Sequence, residues 1–168
     1  LIVADTLNHR VLIWNNWPTQ NGQAADVVLG QPNFETFVDQ DPLRSTADPK
    51  ANNMLNPVSV TSDGQRLFVA DLGYNRVLIW NSIPTQNQQP ADVVIGQPDF
   101  TSGPGNNSLK LCESDGEFDG QPTYPPVCES TLSYPRFALA AGSRVFVSDG
   151  CNDRILVFNK IPTANGAK

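Results

Sequence analysis

Residues 3–34, "VADTLNHRVLIWNNWPTQNGQAADVVLGQPNF", lie on residues 69–100, "VADLGYNRVLIWNSIPTQNQQPADVVIGQPDF", at a constant offset of 66. A third copy, "LSYPRFALAAGSRVFVSDGCNDRILVFNKIPTANGAK" (132–168), matches "MLNPVSVTSDGQRLFVADLGYNRVLIWNSIPTQNQQP" (54–90) at an offset of 78. The extra 12 residues lie between "GQPxF" and the next "xxP", in segments 35–53 and 101–131. The chain is therefore a repeat of approximate units 1–34, 54–100 and 132–168, separated by two unlike insertions.

Each unit reads as four short strands. One follows Pro57 or Pro135, and one ends at Asp5, Asp71 or Asp149. A third opens at Arg10, Arg76 or Arg154, and the last is "ADVVxGQ". Short apolar runs between Gly, Asn, Asp and Pro turns, with no long amphipathic period, predict an all-β chain. Units of this size cannot bury both faces alone, so they must stack, as the blades of a propeller do.

The pattern "LxxPxxVxxxxxxRLFVADxxxNRVLIW" resembles the NHL-repeat family of bacterial type over nearly the whole chain. The resemblance implies a β-propeller of four-stranded antiparallel blades, typically about six around a central channel. About three repeats are present here, and they offer ten strands where three full blades need twelve. The expectation is a partial propeller, completed by further sequence or by another chain, whose open blade edges are templates for association.

The 17 acidic and 11 basic residues give a net charge of −6, and the few cations are dispersed. A nucleic-acid backbone requires a basic stripe, so nucleic acid is not an expected partner, and RNA-binding NHL domains are poor analogues. No apolar run approaches the roughly 20 residues of a transmembrane segment.

Three cysteines form neither a zinc nor a haem pattern. Cys112 and Cys128 share the second insertion and are the candidate disulfide, which would place the protein in a secreted, periplasmic or cell-surface setting. The alternative is three free thiols, Cys151 among them.

Candidate sites divide into repeated and unique features. His9 is the sole histidine, and the other copies carry Asn75 and Asp153 in its place, so the turn requires polarity rather than an imidazole. The pairs Asp5/Arg10, Asp71/Arg76 and Asp149/Arg154 recur five residues apart. An aspartate closing a strand can bind turn amides, and an arginine opening the next can meet a carboxylate across the hairpin. Trp14, Trp80 and Phe158 share one position, where large aromatics pack between neighbouring units. All of these read as fold determinants.

The second insertion carries "CESDGEFDG", in which Asp115, Glu117 and Asp119 alternate ahead of Gly120. This spacing is that of the first half of a calcium loop, with Glu129 as a late closing acid; Ca²⁺ is the one cofactor the pattern suggests. A solvated acidic loop is the rival reading. The first insertion mixes Asp39, Asp41 and Asp48 without ligand spacing and reads as a contact surface. Asn106 opens an N-N-S sequon.

The expected function is a non-enzymatic extracellular scaffold that binds a protein partner, or itself, through long inter-blade loops and open blade edges. The alternative is an enzyme resembling peptidyl-amidoglycolate lyases or calcium-dependent lactonases. Its channel metal would then fall to Asp5, Asp71, Asp149, Asn8 and His9.

Overall fold

The computed structural model describes residues 1–37 and 48–168; Asp39 and Asp41 lie outside them. The chain is all-β, with its strands in four antiparallel sheets. The first sheet runs β1 (Ile2–Asp5), β2 (Arg10–Ile13), β3 (Val27–Leu29). The second runs β4 (Pro57–Ser62), β5 (Leu67–Asp71), β6 (Arg76–Trp80), β7 (Val93–Ile95). In the second insertion a short helix, α1 (Ser108–Leu111), precedes a hairpin of β8 (Gly116–Phe118) and β9 (Gln121–Thr123). The last sheet runs β10 (Pro135–Ala141), β11 (Arg144–Asp149), β12 (Arg154–Phe158). Among the described residues no sheet closes into a barrel and no ring of sheets is completed.

Each aspartate-to-arginine hairpin is built alike. A single 3-10 turn follows the aspartate and ends on a left-handed residue, His9 (φ 53°), Asn75 (φ 52°) or Asp153 (φ 50°). Short polar side chains tolerate this conformation better than branched apolar ones. The turn sets the register, so that Asp5 faces Arg10, Asp71 faces Arg76 and Asp149 faces Arg154.

The second sheet is buried on both sides, which is why β5 and β6 read as unbroken apolar runs. Alternation along its strands divides the core in two. Leu67, Val69, Leu78 and Trp80 pack against Val11, Ile13 and Leu29 of the first sheet. Phe68, Val77 and Ile79 pack against Ala138, Val145, Val147 and Phe158 of the last. Trp80 is fully buried and Phe158 nearly so, whereas Trp14, on the outer side of the first sheet, is half-buried.

Neighbouring sheets are also tied through the backbone. Gly30 bridges to Asn53 and Gly96 to Thr131 in parallel fashion. The free edge of β3 is covered by the next unit's loop: Val28 N–H donates to Asn87 Oδ1 (3.0 Å) and Gln88 N–H to the Val28 carbonyl (2.8 Å). Asn165 and Gly166 cover Val94 of β7 in the same way. A covered edge cannot recruit a stray strand.

Candidate functional site

The three Asp–Arg pairs share one geometry and differ in solvent access. Arg Nε donates to Asp Oδ2 at 2.7 Å (Arg10–Asp5), 2.9 Å (Arg76–Asp71) and 2.8 Å (Arg154–Asp149). Both side chains of the middle pair are 0% exposed, while those of the first are 22% and 27% exposed. The difference follows from position, because only the middle pair has a sheet on either side.

The remaining atoms of each pair hold the chain that leads into and out of the insertions. Asp71 Oδ1 accepts the Leu55 N–H and Asp149 Oδ1 the Ser133 N–H, both at 2.7 Å. Arg10 Nη1 donates to the Phe34 carbonyl, where the first insertion begins. Arg76 Nη2 donates to the Lys50 and Asn53 carbonyls, where it ends. Arg76 Nη1 reaches the Phe100 carbonyl, where the second insertion begins, and Arg154 Nη2 the Cys128 and Thr131 carbonyls, where it ends. A planar guanidinium with five donors suits this task, since one side chain can hold a carboxylate and several carbonyls at once.

Burial dominates the electrostatics of the middle pair. It pushes the Asp71 carboxyl up to about 6, against the opposing pull of the Arg76 guanidinium. Tyr74, whose ring lies 5.0 Å from the Arg76 guanidinium carbon, is pushed up to about 12 by burial and by the Asp71 charge.

His9 takes part in the same framework. Its Nδ1 accepts the Asn56 N–H at 3.3 Å and its ring stacks on Phe37. One unit later Asn75 Oδ1 accepts the Tyr134 N–H at 2.9 Å. Imidazole and carboxamide thus do equivalent work, accepting one amide of the next unit. Asn8 is also engaged, its Nδ2 donating to both oxygens of Asp5. The residues of a hypothetical channel metal site are therefore spent on arginines, amides and one another.

The acidic stretch of the second insertion forms the β8–β9 hairpin. Its turn consists of Asp119 (φ 51°) and Gly120 (φ 73°), both left-handed, the geometry of a tight two-residue hairpin turn. Glu117 stands on β8, and Asp115 Oδ1, just before it, accepts the Thr123 hydroxyl. Glu129 lies on the far side of the disulfide, where Lys168 Nζ stands 3.8 Å from it and 2.7 Å from Glu113. Among the described residues no three His, Cys, Asp or Glu side chains gather as a metal would require. Of the three alternating acids only Glu117 stands on a strand, and Gly120, with Asp119, serves a hairpin turn instead of the bend of a ligand loop.

Cys112 and Cys128 are joined by a disulfide across a separation of 16 residues, and Cys151 is an exposed thiol. The sequon residue Asn106 exchanges reciprocal carboxamide hydrogen bonds with Asn152, at 2.9 and 2.8 Å. No helix among the described residues is long and apolar enough to cross a membrane.

Two structural side chains are not among the residues singled out in the sequence. Gln31 and Gln97, both fully buried, sit in the repeated "GQPxF". Gln97 Nε2 donates to the carbonyls of Tyr74, Asn75 and Pro104, and Gln31 Nε2 to that of Asn8. Each clamps the last strand of a unit to its own hairpin turn. Their recurrence at the offset of 66 was the available signal. No protein-family model, curated protein or solved structure matches the chain.

Proposed function

We propose that the chain is a β-propeller scaffold of NHL-like blades, formed by sheets β1–β3, β4–β7 and β10–β12. It is non-enzymatic, works outside the cytoplasm, and binds a protein through insertions 35–53 and 101–131 and through its open strand edges. One observation carries this reading: successive arginines grip the chain at both ends of each insertion, Arg10 and Arg76 for the first, Arg76 and Arg154 for the second. Side chains that recur in every unit build the frame, and the unlike segments are presented from it. The Cys112–Cys128 disulfide supports an oxidising compartment.

The test is to replace residues 113–127, inside the disulfide loop, with a short Gly-Ser linker. The variant should keep its far-UV β spectrum and cooperative unfolding, because the gripped carbonyls of Phe100, Cys128 and Thr131 remain. Loss of folding overturns the division between frame and presented loop. Stoichiometric Zn²⁺ or Ca²⁺ retained by the purified chain after dialysis, measured by elemental analysis, turns the reading to a metal-dependent enzyme.

A further inference from the structure

The loop that covers β7 is the second of two equivalent clasps, and its chemistry differs from that of the first. Asn87 Oδ1 accepts the Val28 N–H at 3.0 Å, while the Gln88 N–H donates to the Val28 carbonyl at 2.8 Å. At an offset of 78, Asn165 Oδ1 accepts the Val94 N–H at 3.0 Å and the Gly166 N–H donates to the Val94 carbonyl at 3.0 Å. Each clasp engages both main-chain groups of one fully buried strand residue through an asparagine and the amide that follows it.

The residue after the asparagine is left-handed in both clasps, Gln88 at φ 55° and Gly166 at φ 63°. Position 88 accepts a side chain at the cost of backbone strain. At 166 the second insertion opposes one as well, because a Cβ there would lie 3.0 Å from Cδ2 of Leu111, a buried residue of α1. The docking of the insertion therefore favours glycine at 166, and with it the dipeptide Asn-Gly. In that dipeptide the backbone nitrogen reaches the preceding carboxamide most readily, since no Cβ hinders it.

We propose that Asn165–Gly166 is a site of succinimide formation that the clasp on Val94 keeps closed. In the reaction the Gly166 nitrogen gives up its proton to solvent base and bonds to Asn165 Cγ. The Cγ–Nδ2 bond breaks, and that nitrogen leaves as ammonia. Water then opens the cyclic imide at either carbonyl, giving aspartate or isoaspartate. While the clasp is closed, the Val94 carbonyl holds the Gly166 N–H and the Val94 N–H holds Asn165 Oδ1, so the nitrogen cannot turn onto the carboxamide. An aspartate restores an acceptor for the Val94 N–H. An isoaspartate lengthens the main chain by a methylene and moves the carboxylate onto Cα, and the clasp cannot re-form. Opening then becomes irreversible, and residues 165–168 lose their hold on β7.

Peptide mapping by mass spectrometry after incubation at mildly alkaline pH tests this, with the exposed Asn21–Gly22 as the reference in the same sample. In urea the two sites should convert at similar rates. In the folded chain Asn165 should lag Asn21 by roughly tenfold or more, since two hydrogen bonds must open together before cyclisation. Leu111→Ala, which withdraws the packing against Gly166, should narrow that gap. The chain bearing isoaspartate at 165, separated by ion exchange, should lose hydrogen-exchange protection at the Val94 amide. Asn165→Asp, with the same charge and an unaltered main chain, should keep it.

Equal conversion of Asn165 and Asn21 in the folded chain overturns the proposal, as does absence of isoaspartate at 165 in urea. Full protection of the Val94 amide in the isoaspartate form overturns it as well. Loss of the whole β spectrum in that form also overturns it, by making residue 165 part of the frame instead of one clasp. None of these outcomes bears on the binding of a partner through the insertions.

Discussion

Arg76 and Asp71 form an ion pair of 2.9 Å with neither side chain exposed, and the same guanidinium holds the end of one insertion and the start of the next. The equivalent pair of Arg10 and Asp5 has the same bond and is partly open to water.

Arg76→Met should therefore be far more damaging than Arg10→Met. The first leaves a buried carboxylate without its counter-charge and releases the carbonyls of Lys50, Asn53 and Phe100, a loss of about 3–5 kcal/mol. The second breaks a solvent-screened pair and should cost about 1 kcal/mol or less. Urea unfolding at pH 7 measures both, and equal costs would contradict the role given to burial.

Asp71 should leave a signature in the pH dependence of stability. Its carboxyl lies at about 6 in the folded chain against 3.8 for the free side chain, so between those values the folded chain binds more protons than the unfolded. The stability this adds is full below about pH 4 and is lost as pH rises through 6, a change on the order of 3 kcal/mol. Unfolding free energies of the wild type and Asp71→Asn, followed from pH 4 to 7, should approach each other toward acid, where Asp71 is neutral like Asn, and separate toward pH 7 as only the wild type loses this stability. Parallel curves would exclude the effect.

Reduction of Cys112–Cys128 should act locally. The bridge closes a loop of 16 residues, and loops of that length gain about 3 kcal/mol from closure in the chain-entropy treatment. Amide exchange in 108–131 should accelerate after reduction, while β5 and β6 keep their protection. Exchange that rises equally in both regions would mean that the bridge supports the sheets themselves.

Gly30 and Gly22 should separate two costs of a side chain. Both have positive φ, at 88° and 71°, but a Cβ on Gly30 would lie 2.5 Å from the His9 carbonyl oxygen, and one on Gly22 would meet nothing within 4 Å. Gly22→Ala should cost about 1 kcal/mol, from backbone strain alone. Gly30→Ala should cost about 2–4 kcal/mol, because the bridge to Asn53 must shift as well. Thermal unfolding of the two variants is the comparison.

The sequence by itself determined the repeat, the all-β class and the residues that must meet in each hairpin. Those depend on local chemistry: the 66-residue offset sets Asp71 beside Arg76 wherever Asp5 lies beside Arg10, and polar left-handed residues at 9, 75 and 153 make the turn between them. Only the tertiary structure decided which copy of each feature is buried and what its spare atoms hold. The grip of Arg76 on Phe100 spans 24 residues and that of Asn165 on Val94 spans 71, and no local pattern encodes such distances. The acids at 115, 117 and 119 were ambiguous for the same reason, since alternate spacing suits a ligand loop and a strand equally. The pairing of Gly116 with Thr123 and Phe118 with Gln121 gave each acid its own place: Glu117 on β8, Asp115 just before it and bonded to the Thr123 hydroxyl, and Asp119 in the turn.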